Sequence, residues 1–373
     1  MRVYLANPRG FCAGVIMAVE VVNQILDICP DVRPIYVFHE IVHNKYIVKR
    51  FEERGVVFVE HIDEAPNGSI VVFSAHGVSP ELRRQAKERK LTAVDATCPL
   101  VTKVHMEAIR YARAGYQILL IGHIGHDEVV GTIGEAPEAI QVVESPEDIA
   151  KLEIRDANRL VYLTQTTLSL NDAEVVIGAL REAFPNIKEP PSDDICYATT
   201  NRQRVVSMMA ESCDLVIVVG SRNSSNSLRL TEIARSVGTS AYLVDAESEM
   251  EPAWLVEAEH VLVTSGASAP EDLVRGVIQR LINEYGATVQ QIDVFDERVE
   301  FGLPGSLKNL MRTQGIDPAG RSISVEQGDM IEQWLSELGG APVGEPVHLT
   351  VSASRTELEI HSGCTESEPL SKS

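Results

Sequence analysis

The sequence has few basic side chains: 33 lysines and arginines stand against 54 acidic residues, so the formal net charge is −21 over 373 residues. Nucleic acids and anionic membranes repel such a field, and neither is expected as a main partner. No apolar run approaches the roughly eighteen residues of a membrane span. The apolar stretch before Pro8 and Arg9 is also too short for a signal peptide. We therefore expect a cytoplasmic protein that must hold any phosphate-bearing ligand locally.

The sequence also lacks closely paired cysteines and a nucleotide-binding fingerprint. None of the six cysteines forms a CxxC pair, and a disulfide scaffold is not expected in a chain of this size. No GxGxxG follows the first apolar run, so the chain has no flavin or nicotinamide motif of its own. Cys29 ends an amphipathic helix, Cys213 precedes a buried strand and Cys364 lies near the C-terminus. A structural role is the simplest interpretation of these three.

Short apolar runs alternate with polar breaks and helical stretches, which is typical of βα units around parallel sheets. The runs are rich in Val, Ile and Leu without alternation, as in strands that are buried on both faces. Strands are predicted at 2–6, 34–38, 69–74, 91–95, 116–122, 159–164, 214–220, 241–245 and 260–266. Helices are predicted at 13–29, 80–90, 100–114, 171–184, 200–212, 227–237 and 270–285.

This rhythm predicts an α/β protein built from three similar small parallel-sheet modules. The expected modules are 1–98, which includes the N-terminal strand and Cys12, then 99–192 and 193–303. The proline-containing segment 184–194 is the clearest linker. After about residue 304 the rhythm stops, so 304–373 is expected to be an appended, partly flexible tail with one helix near 324–338.

Three further cysteines share a context although they are far apart in the chain. Cys12 and Cys98 each follow an apolar run and open a helix, and Cys196 follows the linker and opens a third helix. The helix dipole favours thiolate at such positions. One thiolate per module suggests a pseudo-threefold assembly around a zinc ion with an open position, or around an iron–sulfur cluster with one iron lacking a protein ligand. The alternative is three unrelated buried cysteines.

The loops after the apolar runs are rich in small hydrogen-bond donors and imidazoles. Ligands of parallel sheets bind beyond the carboxyl ends of the strands, and helix N-termini there favour anions. These loops therefore predict a phosphate or diphosphate site, although each alone could be an ordinary helix cap. The candidate ligands are His43, His76, His126, Ser224, Ser225, Asn226 and Ser268. The histidines interpreted as surface or structural are His39, His61, His105, His123 and His260.

Glu128 is the carboxylate that stands beside His126 in these loops. A buried carboxyl near a metal can have a raised pKa and serve as a proton donor. The alternative is that Glu128 only begins a helix favourably. Thr166 and Thr167 can orient a substrate hydroxyl or cap the helix that follows.

Seven strings between residue 1 and about 303 form a recognisable set: ANPRGFCAGV, FSAHGVS, DATCPLVTKVH, TQTTLS, DDICYATTNRQ, VVGSRNSSNS and GASAP. In their content and order they resemble the LytB/IspH family, the 4-hydroxy-3-methylbut-2-enyl diphosphate reductases. The resemblance implies a three-module trefoil around a central cluster. It also implies reductive removal of an allylic hydroxyl to give isopentenyl and dimethylallyl diphosphates, the last step of the non-mevalonate isoprenoid pathway, with electrons from a ferredoxin or flavodoxin.

The resemblance also implies residue roles. Cys12, Cys98 and Cys196 would hold a 4Fe-4S cluster whose fourth iron binds the substrate hydroxyl. Glu128 would be the proton donor and Thr166 would position the hydroxyl. The family's diphosphate pocket matches His43, His76, His126, Ser224, Ser225, Asn226 and Ser268, while Asp127 stands where many members carry proline. Two alternatives stay open: another three-cysteine iron–sulfur enzyme, such as a dehydratase or a quinolinate-synthase-like enzyme, and a non-catalytic iron–sulfur sensor.

Overall fold

The structure, a computed structural model, describes residues 1–319, 322–324 and 347–348. Its strands are β1 Arg2–Asn7, β2 Ile35–Phe38, β3 Val56–Val59, β4 Ile70–Phe73, β5 Thr92–Asp95, β6 Gln117–Ile121, β7 Ile140–Val143, β8 Leu160–Thr164, β9 Leu215–Val219, β10 Ser240–Val244, β11 His260–Ser265, β12 Thr288–Asp293, β13 Glu300–Gly302, β14 Ser322–Ser324 and β15 Val347–His348. Its helices are α1 Ala13–Ile28, α2 Lys45–Glu52, α3 Pro80–Glu88, α4 Pro99–Arg113, α5 Asp127–Glu135, α6 Leu170–Ala183, α7 Tyr197–Met209, α8 Ser225–Ser236, α9 Glu271–Tyr285 and α10 Gly305–Thr313.

Three parallel sheets organise the chain. Their strand orders are β3-β2-β4-β5, β7-β6-β8 and β10-β9-β11-β1-β12-β15, while β13 and β14 form a separate antiparallel pair. Every residue of β6, β8 and β9 is buried, which explains why these runs are apolar without alternation. The predicted α/β fold of three parallel-sheet modules is confirmed. Within the described residues, each helix is too short or too polar to cross a lipid bilayer.

The first strand lies in a different sheet from the one that the sequence order suggested. β1 pairs with β11 on one side and with β12 on the other, so it belongs to the third sheet. Helix α1, which follows it, packs instead in the core of the first module with β2 and β4. The expected boundary of 1–98 therefore does not hold for β1, because both edges of this strand pair with strands more than 250 residues away in sequence.

The segment just after residue 303 is also part of the fold. On α10 the side chains of Leu307 and Met311 are fully buried against the first module, and Ser306 Oγ accepts the backbone N–H of Asp95 at 3.0 Å. The expectation that the appended tail begins at about 304 is therefore wrong for α10. The helix predicted near 324–338 lies outside the described residues.

Candidate active site between the three modules

One cavity receives side chains from all three modules. It encloses about 780 Å³, the open solvent at its mouth included. The residues predicted from the sequence that line it are Cys12, Cys98, Cys196, His43, His76, His126, Glu128, Thr166, Ser224, Ser225, Asn226 and Ser268. The structure thus brings every candidate site residue to one place.

The three cysteines enter the cavity in the same way. Each is the N-cap residue of its helix: Cys12 for α1, Cys98 for α4 and Cys196 for α7. Each backbone N–H donates to a carbonyl of a neighbouring strand-end loop, at 3.2 Å for Cys12 to Ala267, 3.0 Å for Cys98 to Ala75 and 3.0 Å for Cys196 to Thr166. The repeated arrangement fixes three thiols around one centre.

Two of these thiols lie close to the backbone of Gly14. A Cβ at this position would lie 2.6 Å from Cys98 Sγ and 3.9 Å from Cys12 Sγ. Only glycine leaves room for the Cys98 sulfur there. None of the five cysteines within the described range, among them Cys196, forms a disulfide, so the sulfurs of the cavity are free to bind a metal.

The helix ends favour thiolate at these cysteines, as expected from the sequence, but they do not decide the protonation state. Backbone N–H groups at the helix ends do lower the thiol pKa values, but burial acts the other way and outweighs them. Burial raises the pKa of Cys98 to about 12 and that of Cys196 to about 11, and it also raises that of Cys12. The free thiols therefore stay protonated at neutral pH, and a bound cationic centre has to supply the stabilisation of thiolate.

A buried ion pair supports the loop that carries Cys12. The guanidinium of Arg202 lies 3.2 Å from both carboxylate oxygens of Glu297 and donates to the carbonyl of Gly10 at 2.9 Å. Arg202 is fully buried, and its charge opposes the effect of burial on the Cys12 pKa. The pair fixes the position of Cys12 from behind.

Glu128 and Thr166 are hydrogen-bonded to each other at the cavity wall. Thr166 donates its backbone N–H to Glu128 Oε1 at 2.6 Å and its hydroxyl to Oε2 at 3.0 Å. Burial raises the pKa of Glu128 to about 7, against the lowering effect of these two bonds, and the nearby carboxylate of Asp194 adds to the rise. The carboxyl can therefore hold or release a proton near neutral pH.

Three histidines from the strand-end loops form a compact cluster in the wall of the cavity. The rings of His43 and His76 stack with centroids 4.0 Å apart, and the His126 ring stands edge-on, 5.5 Å from His43. His126 Nδ1 accepts the backbone N–H of Glu128 at 3.2 Å, so this nitrogen carries no proton. Burial and repulsion from His43 lower the pKa of His126 to about 4 and that of His76 well below its usual value. Without a ligand these two rings are neutral.

Hydroxyl and amide groups complete the anion-binding side. Ser224 caps α8, and Ser268 Oγ donates to the carbonyl of His43 at 3.0 Å. Asn226 is 4% exposed, and neither its amide nitrogen nor its amide oxygen has a hydrogen-bond partner in the described part of the chain. Buried polar groups are normally paired, so Asn226 is ready to bind a ligand.

The comparisons with known proteins agree with this geometry. Residues 3–282 match the family model described as LytB protein. The chain belongs to the LytB family. It is 54% identical over 308 residues to 4-hydroxy-3-methylbut-2-enyl diphosphate reductase of Rhodopirellula baltica, covering 83% of this chain and 96% of that relative. The reductase of the same name from Nocardia farcinica is 54% identical over 312 residues, covering 83% and 92%.

Two solved structures resemble this LytB-family chain. E-1-hydroxy-2-methyl-but-2-enyl-4-diphosphate reductase from Plasmodium falciparum superposes with a TM-score of 0.81 at 39% identity, over 84% of this chain and 99% of that one. A second structure, of (E)-4-hydroxy-3-methyl-but-2-enyl diphosphate reductase, has a TM-score of 0.56 at 30% identity, over 75% and 99%. Its description names it the terminal enzyme of the non-mevalonate pathway.

Two polar contacts of this LytB-family site were not predicted from the sequence. Asp127 Oδ1 lies 2.7 Å from His39 Nδ1, and Asp127 Oδ2 lies 3.9 Å from His76 Nδ1. Of the two roles expected for His39, surface or structural, its hydrogen bond to Asp127 favours the structural one. The second contact is the hydrogen bond from Arg202 to the carbonyl of Gly10, in the loop that carries Cys12. Arg202 lies in the quoted string DDICYATTNRQ, but nothing in its local sequence indicates that its side chain turns inward.

Proposed function

We propose that this chain catalyses the reductive dehydroxylation of 4-hydroxy-3-methylbut-2-enyl diphosphate to isopentenyl diphosphate and dimethylallyl diphosphate, the last step of the non-mevalonate isoprenoid pathway. Relatives named as that reductase share 54% identity with it. One observation supports the chemistry most strongly: three free thiols, a carboxyl with a pKa of about 7 and an unpartnered buried amide face the same cavity.

The residues of the cavity fit a 4Fe-4S cluster. Cys12, Cys98 and Cys196 would hold it, and the absence of a side chain at Gly14 leaves the space that its neighbouring sulfurs need. When bound, such a cluster supplies electrons and a Lewis-acidic iron without a protein ligand. A single zinc ion would supply no electrons, which the reductive reaction requires.

Glu128 supplies the proton that the departing oxygen needs. The reaction consumes two electrons and two protons, breaks the allylic C–O bond and forms a C–H bond and one water molecule. Protonation by Glu128 lets the oxygen leave as water, because hydroxide is a poorer leaving group. Thr166 holds both carboxyl oxygens of Glu128 and so fixes the direction of proton delivery.

The diphosphate binds to the histidine, serine and asparagine side chains of the same cavity. Neutral rings of His76 and His126, hydroxyls of Ser224 and Ser268, and the amide of Asn226 offer hydrogen bonds there. The N-terminus of α8 adds backbone N–H groups. These groups bind the anion locally in a chain of net charge −21 and orient the allylic end toward the cysteines.

Electrons come from a separate carrier, such as a ferredoxin or a flavodoxin. The sequence holds no GxGxxG motif after its first strand that would bind a flavin or nicotinamide nucleotide. A carrier of this kind delivers the two electrons one at a time.

Metal analysis of anaerobically prepared protein tests the cluster. We expect iron and acid-labile sulfide in near-equal amounts, with loss of the brown colour in each of Cys12→Ser, Cys98→Ser and Cys196→Ser. Cys29→Ser and Cys213→Ser are the matched controls, because both residues are buried away from the cavity and should leave the cluster intact. Zinc without sulfide, or loss of colour in the controls alone, would contradict the assignment.

Turnover tests the enzyme against the sensor alternative. With dithionite-reduced methyl viologen and the hydroxylated allylic diphosphate, the holoprotein should form both products. Glu128→Gln should keep the cluster and bind substrate but lower kcat by about 100-fold or more. A cluster-containing protein that binds the diphosphate without turnover would favour a sensor.

A further inference from the structure

The outer face of α4 carries an uncommon surface for so acidic a chain. Lys103, Met106, Arg110 and Arg113 follow one another at helical spacings of three and four residues, so they share one face. Met106 is 58% exposed at the middle of this row. The side chains border a shallow groove of about 850 Å³, open solvent included. The face therefore has an apolar centre with cations along it.

A fourth cation joins the face through two aromatic rings. The guanidinium of Arg110 lies 4.8 Å from the centroid of Tyr111, and Lys188 Nζ lies 4.5 Å from that of Tyr116. The two tyrosine rings pack edge-to-face, 5.8 Å apart. The rings hold Arg110 and Lys188 on the same side of the second module. We call Lys103, Met106, Arg110, Arg113 and Lys188 the α4 face.

The arginines of the α4 face are not paired in salt bridges. Lys103 pairs with Asp194 at 3.1 Å, but in the described part of the chain neither Arg110, Arg113 nor Lys188 makes a salt bridge. Glu189 pairs with Arg181 at 2.5 Å, and Glu107, which also lines the groove, is mostly buried beside Asp194 and close enough to Arg110 to feel its charge. Asp193 is exposed at one edge. Arg110 and Arg113 therefore remain available beside Met106.

The α4 face is physically joined to two of the three cysteines. Helix α4 begins directly after Cys98, and Met106 lies eight residues further, a rise of about 12 Å along the helix. Lys103 Nζ donates to the carbonyls of Ser192 and Asp193 at 3.0 and 2.8 Å, in the segment that leads into Cys196. A molecule seated on this face is thus separated from the cysteine centre by little more than one helix.

We propose that the α4 face is the docking surface for an acidic electron-carrier protein. This inference rests on the proposed function, which requires two electrons from outside the chain. A carboxylate-rich partner is attracted to this face, while the chain as a whole, with its net charge of −21, repels it and so limits where it docks. An exposed methionine within a charged rim also matches the composition of transient protein interfaces. Two one-electron carriers would be oxidised for each allylic diphosphate reduced.

Charge reversal on the α4 face tests the proposal. The holoprotein variant Arg110→Glu/Arg113→Glu is assayed with two reductants, an acidic 2Fe-2S ferredoxin and dithionite-reduced methyl viologen. We expect kcat/KM for the ferredoxin to fall on the order of ten-fold or more, because the electrostatic attraction is lost. For the same reason, kcat/KM of the variant should depend less on salt concentration than that of wild type. Turnover with methyl viologen should not change, since a small reductant needs no docking surface.

Two variants serve as controls. Lys49→Glu/Lys87→Glu makes the same change in net charge on exposed positions of α2 and α3 in the first module, and should leave ferredoxin turnover unchanged. Arg110→Gln/Arg113→Gln removes the charges without adding new ones, and should give an intermediate loss if the reversal variant folds poorly.

Three results would overturn the proposal. One is an equal loss of ferredoxin turnover in the two charge-reversed double variants. Another is an equal loss with ferredoxin and methyl viologen. The third is sedimentation showing that wild type is a dimer that Arg110→Glu/Arg113→Glu dissociates, since the face would then belong to a second copy. Absence of turnover with methyl viologen would refute the proposed function alone. In that case, calorimetric binding of oxidised ferredoxin to the holoprotein still tests whether the α4 face is a docking surface.

Discussion

At Glu128, burial and the hydrogen bonds from Thr166 have opposite effects on the proton affinity of the carboxyl. Burial raises the Glu128 pKa to about 7, while the two bonds from Thr166 act to lower it. Thr166→Val keeps the backbone bond and removes the hydroxyl bond, so the Glu128 pKa should rise. Because a proton donor works only in its protonated form, activity is present below this pKa and lost above it. We expect the alkaline limb of the kcat profile to move to higher pH, with a lower maximum.

Thr166→Ser is the matched variant for this prediction. Serine retains the hydroxyl and should keep the alkaline limb of wild type. A limb that does not move in Thr166→Val, measured with methyl viologen so that chemistry is observed, would mean that another group sets it.

His39 and Asp127 give the site a pH-dependent contribution to stability. The hydrogen bond that His39 Nδ1 donates to the Asp127 carboxylate raises the pKa of His39. A raised histidine pKa adds stability that is fully present below the unfolded value, about 6.5, and is lost as pH rises through the folded value. Asp127→Asn should therefore lower Tm more at pH 6 than at pH 9, measured by thermal unfolding of the apoprotein.

The second carboxylate near His39 provides the comparison. Glu60 lies 3.8 Å from His39 Nε2, but its side chain is 78% exposed, so water screens the pair. Glu60→Gln should change Tm little at either pH. Equal effects of Asp127→Asn at pH 6 and pH 9 would argue against the ion pair.

At the scale of elements, the first turn of α1 is shaped by the sulfur at the N-terminus of another helix, α4. Alanine normally favours a helix over glycine by up to about 1 kcal/mol. At Gly14, however, the added Cβ would lie 2.6 Å from Cys98 Sγ. Gly14→Ala should thus lower the iron and sulfide content of the purified protein sharply.

Gly178 offers the same substitution in an open place. It lies in α6, and a Cβ there would meet no atom within 4 Å. Gly178→Ala should stabilise the protein by about 0.5–1 kcal/mol in a denaturant titration and keep the full cluster. Full iron content in Gly14→Ala would disprove the steric argument.

Among the elements that the sequence predicted, β6, β8 and β9 are buried at every residue. All nine predicted strands and the seven helices predicted before residue 304 are present, at slightly different bounds. The strands that were missed include β3 and β7, which lie at sheet edges and have two of their four residues buried. The short α2 was missed as well, because eight residues carry little helical periodicity.

The candidate site was more predictable than the sheet order. Strand-end loops converge in parallel sheets whatever the sequence between them, so His43, Ser224 and their neighbours could be found from position alone. The place of β1 could not, because its pairing with β11 depends on contacts across the whole chain. Arg202 was missed for a similar reason: its partner Glu297 is 95 residues away.

At the scale of the whole molecule, the modules are connected at more points than their order in the chain implies. β1 is part of the third sheet, α1 packs into the first module, and Cys12 lies between them. A change in the packing of the first-module core therefore shifts α1 and, with it, Cys12 at its N-terminus. α10 contributes to that same core from the other end of the described chain.

Substitution of a buried α10 residue tests this connection. Leu307 is fully buried in a cluster that includes Val15 and Met17 of α1. Leu307→Ala should lower the free energy of unfolding by about 2–5 kcal/mol in a denaturant titration, because it leaves a cavity in the core. Val175→Ala on α6, at a side chain that is 61% exposed, should change it by no more than about 0.5 kcal/mol. Equal stability of the two variants would mean that α10 rests on the first module without contributing to its core.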